Sequence, residues 1–255
     1  MLLPDPLARP VVAHRGDSAH APENTMAAFE RAVRLGAEAL EFDVRLTADG
    51  VPVVHHDATL DRTTDAAGPV RARTIAELRS VDAGARYTPD GGRTVPFRGR
   101  GVRVPTLDEV LGAWPHTPVL IEIKESDASG AVREALDRHN AGSRAVVASF
   151  VDAAVAPFRS SPYATGAARG DVARLLAATL AGVTVRPQYQ LASVPRRYRG
   201  LPLPVERFAR VLRPAGVPVS VWTVDDPDEA RALWRGGVSG MVSNDPGPLL
   251  EARGR

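Results

Sequence analysis

Most of the residues able to do chemistry in this 255-residue chain are crowded between His14 and Arg62. The stretches read His14-Arg15-Gly16-Asp17, Pro22-Glu23-Asn24-Thr25, Glu41-Phe42-Asp43-Val44, Val53-Val54-His55-His56-Asp57 and Leu60-Asp61-Arg62-Thr63-Thr64. Each lies at the end of an apolar run or beside one, the placement expected of an active site on the rim of a parallel sheet. Imidazoles for proton transfer, an arginine fork for phosphate oxygens and acids for a hard cation together suit metal-assisted hydrolysis of a phosphodiester.

Glu41 and Asp43 stand two apart in a strand-like run, so both face one side while Leu40, Phe42 and Val44 face the other. With the apolar set against surrounding helices, the two acids point inward, where like charges are costly unless a cation compensates them. Glu122 repeats the pattern between Ile121 and Ile123, with Lys124 on its own side. Three inward carboxylates make an oxygen site for a divalent ion, Mg²⁺ or Ca²⁺. The plainer alternative is that Glu41 and Asp43 only pair with Arg15 and Lys124. Lys124 is the one lysine in a Lys+Arg total of 32, which suggests a position where a compact ammonium is needed. It and Arg15 are candidate phosphate contacts.

His14 ends the first apolar strand, and a second histidine follows Val53-Val54. Two imidazoles beside one metal could take a proton from the attacking oxygen and give one to the leaving oxygen. Periodicity does not choose between His55 and His56. His20, His116 and His139 read as loop or surface residues. Trp222 could pack on the carbon part of a substrate, and the ends of the last two strands, through Asp225 and Asn244-Asp245-Pro246, are places where such barrels often bind phosphate. There is no P-loop, no nucleophile-elbow serine and no glycine-rich dinucleotide fingerprint.

Composition narrows the classes. The 44% hydrophobic and 24% charged fractions are those of a soluble globular protein, and the length suits one domain. A net charge of +2 with dispersed arginines gives nucleic-acid binding little support. With no cysteine there is no disulfide or thiolate chemistry. No apolar run approaches the ~18 residues of a membrane span. Met1-Leu2-Leu3-Pro4-Asp5-Pro6 has an acid and two prolines where a signal peptide has a basic start, so a cytoplasmic location is expected. The oligomeric state is not legible.

The elements that must hold these residues follow from alternating apolar and amphipathic runs. Strands are expected near 10–14, 39–45, 118–124, 145–150, 163–168, 188–193, 218–224 and 239–243. Helices are expected near 25–36, 106–114, 129–140, 152–159, 171–181, 204–214 and 226–236, the first capped by Asn24 and stopped at Gly36. About eight strand–helix repeats predict a closed (β/α)8 barrel, α/β in class, over residues 1–255 as a single domain. Residues 46–105 break the rhythm with a hairpin at Ala48-Asp49-Gly50 and a turn-rich stretch, and read as an insertion between the second strand and its helix. Its Arg93, Arg98, Arg100 and Arg103 read as a solvated basic loop.

In this order the motifs resemble the glycerophosphodiester phosphodiesterase family. The resemblance rests on the five stretches quoted first, with Thr47-Ala48-Asp49-Gly50, Pro105-Thr106-Leu107, Glu122-Ile123-Lys124, Trp222-Thr223 and Asn244-Asp245-Pro246. It implies a TIM barrel with a small insertion after the second strand, metal ligands at Glu41, Asp43 and Glu122, and acid and base duties at His14 and His56. It implies cleavage of a small-molecule glycerophosphodiester to sn-glycerol 3-phosphate and an alcohol, through attack by the glycerol hydroxyl and a cyclic phosphate. His56, followed by Asp57, matches the family's His-Asp pair. His55 and Ala48 depart from the pattern, and 151–204 matches poorly. A lysophospholipase D-like activity is the alternative and would need an apolar groove. A third reading, a phosphodiester-binding barrel without catalysis, is disfavoured because no catalytic histidine or acid is missing.

Overall fold

The computed structural model describes residues 1–160 and 162–254. Eight parallel strands follow one another around a barrel: β1 (Val11–His14), β2 (Ala39–Leu46), β4 (Val119–Ile123), β5 (Ala145–Ala148), β6 (Ala164–Thr165), β7 (Ala192–Pro195), β10 (Val219–Trp222) and β11 (Gly240–Ser243). β11 pairs back with β1, and a single parallel bridge, Gly166 to Leu191, joins β6 to β7. The expected closed (β/α)8 barrel is the architecture found. Helices α1 (Met26–Leu35), α3 (Leu107–Ala113), α4 (Ser129–Arg138), α5 (Asp152–Val155), α6 (Arg169–Ala181), α7 (Val205–Leu212), α8 (Pro227–Arg235) and α9 (Pro246–Arg253) pack outside it.

Strand parity builds the two layers of the interior. Val12, Ala39, Leu120, Val146, Ala164, Leu191 and Val242 fill the lower barrel with Leu3, which reaches in from the N-terminal segment. Two residues further along the same inward faces stand His14, Glu41 and Glu122, and Asp43 lies one step above Glu41. Outward residues such as Leu40, Phe42, Val44, Ile121 and Ile123 are fully buried against the helices. Each such side chain contributes about 1.5–3 kcal/mol of burial. That apolar jacket fixes strand register, so the polar set cannot slip to the other face.

After β2 the chain turns back as β3 (Pro52–Val54), antiparallel to it. It then runs through loops and a short helix, α2 (Ile75–Leu78), over its own small core of Val53, Leu60, Val70, Leu78, Val81 and Val104. Arg93, Arg98, Arg100 and Arg103 are exposed there and line no part of the central cleft.

Several expectations shift. Thr25, not Asn24, caps α1: its Oγ1 accepts from the Ala28 N–H at 3.3 Å. Asn24 lies in the left-handed region (φ 58°), which turns its amide toward the barrel. The strand expected at 188–193 pairs over Ala192–Pro195, because Ala192 through Pro195 match Val219 through Trp222. The strand expected at 163–168 shortens to Ala164–Thr165 before its one-bridge join. The helix expected at 152–159 tightens into a 3-10 turn at Ala156–Phe158, where Pro157 lacks the N–H that would continue it. Helix α9 was not expected, nor was the small hairpin β8 (Arg197–Tyr198) and β9 (Leu201–Pro202). Gly36 ends α1 in the left-handed conformation, as its position implied.

The turn that carries the first site residues depends on Gly16. Its φ is 85°, and an added Cβ would lie 2.6 Å from the Ala28 carbonyl carbon. Backbone strain plus that overlap should make Gly16→Ala less stable by about 1–3 kcal/mol, read as a lower midpoint in chemical denaturation. A midpoint equal to the parent would mean that the loop relaxes freely.

Candidate active site

At the C-terminal ends of the strands a cleft of about 250 Å³ opens between two unlike walls. His14, Arg15, Glu41, His56, Glu122 and Lys124 form one. Phe150, Val172, Leu176, Tyr198, Leu203 and Trp222 are prominent on the other. The sequence-level candidates are thus brought to one place, with Asp43 directly behind them.

One carboxylate oxygen from each of Glu41, Asp43 and Glu122 lies within 4.8 Å of the others. Lys124 Nζ bridges two of the three, 2.7 Å from Asp43 Oδ1 and 2.7 Å from Glu122 Oε1. Asp43 also receives the Asn24 amide at 2.9 Å and lies 3.2 Å from Arg15 Nε, an ion contact without hydrogen-bond alignment. Burial alone would raise the Asp43 carboxyl; Lys124 and Arg15 outweigh it and hold the group at about 2. Glu41 differs. It accepts the Arg15 backbone N–H at 3.1 Å, and the nearest side-chain cation position among the described residues is His14 Nε2 at 3.9 Å. Burial, then the neighbouring Asp43, pushes its carboxyl well above the usual range. Burial also raises Glu122. The pairing of acids with Arg15 and Lys124 therefore exists, but it gives Glu41 no direct ion pair with either, and their more distant charges do not offset its burial and the neighbouring Asp43. Three converging oxygen donors short of positive charge fit a hard divalent ion.

Each cleft histidine is oriented by a different kind of partner. His14 Nδ1 is 2.7 Å from Asn244 Oδ1. The amide of Asn244 cannot turn over without loss, since its Nδ2 donates to Asp225 Oδ2 at 2.9 Å and its Oδ1 accepts from Ser18 at 3.1 Å. His14 Nδ1 therefore carries the proton, and Nε2 is left facing the acids. Burial, helped by Arg15, lowers the affinity of His14 for a second proton. His56 Nδ1 lies 2.6 Å from Asp57 Oδ1, a carboxylate. His55 is buried instead, its ring 3.0 Å from the Thr59 carbonyl, and it lines no part of the cleft. Trp222 meets Phe150 edge to face, with centroids 5.9 Å apart.

A supporting layer lay outside the sequence-level site list. Glu23 joins Arg15 (2.8 Å) to both Arg62 Nη atoms (2.7 and 2.8 Å), while Arg62 Nε reaches Asp57 at 2.5 Å. One chain of charges thus runs from Asp43 through Arg15, Glu23, Arg62 and Asp57 to His56. The motif residues Pro22-Glu23-Asn24 and Asp61-Arg62 were visible as polar clusters, but nothing in their spacing pairs them across 39 positions. The apolar wall from α6 and the β8–β9 hairpin was also missed.

A cleft with imidazoles, an arginine and a lysine around a buried acid cluster defines a class: phosphodiester hydrolases that work at the mouth of a barrel. Comparison with known proteins agrees. The sequence pattern of the glycerophosphoryl diester phosphodiesterase family matches residues 14–248. A glycerophosphodiester phosphodiesterase of Caldanaerobacter subterraneus subsp. tengcongensis is 31% identical, over 94% of this chain and 96% of that one. A probable glycerophosphodiester phosphodiesterase of Mycobacterium tuberculosis is 36% identical, over 93% and 89%. Among solved structures, the glycerophosphoryl diester phosphodiesterase domain of an uncharacterized M. tuberculosis protein superposes with a TM-score of 0.85 at 25% identity, covering 97% and 99%. An Oleispira antarctica phosphodiesterase, solved with the product sn-glycerol-3-phosphate, gives 0.77 at 25%, covering 97% and 98%. The chain belongs to the glycerophosphoryl diester phosphodiesterase family.

The Glu23 network sets an acid limit. Burial would raise the Glu23 carboxyl, but Arg62 and Arg15 hold it at about 2. A depressed carboxyl contributes stability that is complete above roughly pH 4.3, its unfolded value, and is lost as pH falls toward the folded value. Arg62 is half exposed, so solvent screening limits its share. Arg62→Gln should cost about 1 kcal/mol at pH 7, with the gap from the parent closing between roughly pH 4.3 and 2 in urea titrations. A gap independent of pH would contradict the pairing.

Proposed function

We propose that the chain hydrolyses glycerophosphodiesters to sn-glycerol 3-phosphate and an alcohol, with Glu41, Asp43 and Glu122 holding a divalent ion, Mg²⁺ or Ca²⁺. The observation that carries this reading is the meeting of three acids, two oriented imidazoles, Arg15 and Lys124 in one cleft. Bound there, the ion would polarise phosphate oxygens and neutralise developing charge.

The chain's own groups divide the rest of the work. Arg15 presents its planar fork and Lys124 a point charge to the phosphate oxygens. His14, its Nδ1–H donating to the Asn244 amide oxygen, offers Nε2 as general base toward the glycerol hydroxyl. His56, with a carboxylate against Nδ1, serves as general acid on the departing alcohol. The hydroxyl oxygen bonds to phosphorus, the bond to the leaving oxygen breaks, and that oxygen takes the His56 proton. Water then opens the cyclic phosphate with the two roles reversed. The relative solved with sn-glycerol-3-phosphate supports a small diester as substrate.

Chelation should abolish turnover of glycerophosphocholine or a related diester, and one of the two metals should restore it. His14→Ala and His56→Ala should each lower kcat by ~10²–10⁴-fold with the fold intact by circular dichroism. Turnover that survives chelation, or a histidine variant near the parent rate, would defeat this assignment.

A second reading is favoured by one feature, the apolar wall of Phe150, Val172, Leu176, Tyr198 and Leu203 opposite the acids. It suits an acyl chain on the glycerol that keeps the phosphate, as in lysophospholipase D-type hydrolysis of lysophospholipids, where the head-group alcohol leaves. Leu176→Gln should then depress kcat/KM for lysophosphatidylcholine by about tenfold while sparing glycerophosphocholine, the scale of one buried aliphatic contact. Equal losses on both substrates would remove this reading.

A further inference from the structure

From Leu175 to Val185 the chain carries no charged residue, although this stretch lies on the surface. In α6 the exposed positions Ala173, Ala177, Leu180 and Ala181 recur at helical spacing, so they form an apolar strip facing solvent. Leu180 is 71% exposed and Val183, just past the helix, 54%. A surface helix ordinarily turns charge outward, and beyond Arg174 this one does not.

The strip continues the cleft. Val172, Ala173 and Leu176 line the apolar wall, and Leu180 lies one turn beyond Leu176. Tyr198, on the β8–β9 hairpin, lines the same wall, and its cross-strand partner Leu201 is 71% exposed. Facing residues of an antiparallel pair project to one side, so Tyr198 and Leu201 share a face. Arg199 and Gly200 make the tight turn between them, both with positive φ, and hold that tip out from the barrel.

A collar of arginines surrounds the apolar surface. Arg169, Arg174, Arg186, Arg197 and Arg199 are exposed, and Asp171 is the one acid between 169 and 202. Asp171 is buried and held by Arg159 and Arg174. No carboxylate pairs with Arg169, Arg186, Arg197 or Arg199 among the described residues; Arg197 donates to the Gly200 carbonyl and Arg199 covers the Tyr198 ring.

We propose that α6 and the β8–β9 hairpin dock this enzyme on an anionic lipid bilayer. A second copy would suit the apolar strip, but a two-fold contact would set one arginine collar against the other. Anionic headgroups match the collar while the outermost acyl region receives Leu180, Val183 and Leu201. No helix among the described residues is long and apolar enough to cross a membrane, so the contact is interfacial. The cleft mouth then opens onto the lipid surface, where an amphiphilic diester could enter without leaving it.

Co-sedimentation with vesicles tests this directly. The whole chain should pellet with phosphatidylcholine vesicles containing phosphatidylglycerol, remain in solution with phosphatidylcholine alone, and be released by high salt, which screens the arginines. Leu180→Asp combined with Leu201→Asp should weaken that binding at least tenfold, and Arg197→Gln combined with Arg199→Gln should weaken it severalfold. Neither pair lines the cleft, so hydrolysis of water-soluble glycerophosphocholine and the circular dichroism spectrum should stay at parent values. Sedimentation reads binding without turnover, so failure of the proposed reaction would be seen separately. No binding of the parent chain to anionic vesicles, or equal binding by the aspartate variant, overturns the proposal. So does a concentration-dependent dimer that the aspartate variant disperses.

Discussion

Buried acids of like sign repel one another, and the mouth of this barrel gathers three of them. Lys124 is the side chain that makes the arrangement tolerable, bridging Asp43 and Glu122 at 2.7 Å each from just past the end of β4, the strand next to β2. In a medium of low effective dielectric, breaking one side of such a bridge costs several kcal/mol. Arg15 takes the other flank of Asp43, and Glu41 is left in excess. Everything chemically useful in the cleft follows from that shortfall of positive charge. Under the proposed function it would supply affinity for a hard cation, and Arg15 and Lys124 line the cleft beside it.

Repetition at a period of two makes the arrangement possible. The lower inward layer is aliphatic and the next layer up is polar, on the same strands and with the same parity. The outward jacket of Leu40, Phe42, Val44, Ile121 and Ile123 fixes which face is which. The residues of the candidate site are thus set on an apolar foundation.

That parity is why so much was legible beforehand. Glu41, Asp43 and Glu122 could be assigned inward from their apolar neighbours, and His14 from its place at a strand end. Where periodicity fell silent, the two rings differ in place: His55 is buried against the Thr59 carbonyl, and His56 lines the cleft beside Asp57. Asn24 was misread because a good capping residue and a good left-handed residue share one side chain, and Thr25 beside it caps equally well. The Glu23–Arg62 pair spans the insertion, and its partners meet only once the chain has folded. The hairpin after β7 escaped notice because two residues per strand give no alternation to detect.

The ring is not equally strong all the way round. β2 and β4 match along five residue pairs, whereas β6 and β7 are stitched by Gly166 and Leu191 with a few flanking hydrogen bonds. This seam lies across the cylinder from the carboxylates and beneath the greasy wall of the cleft. Sparse backbone pairing makes it the first place to yield when the barrel breathes. The enzyme therefore has a stiff half that holds the reacting centre and a compliant half that can widen around a bulky substrate without disturbing it.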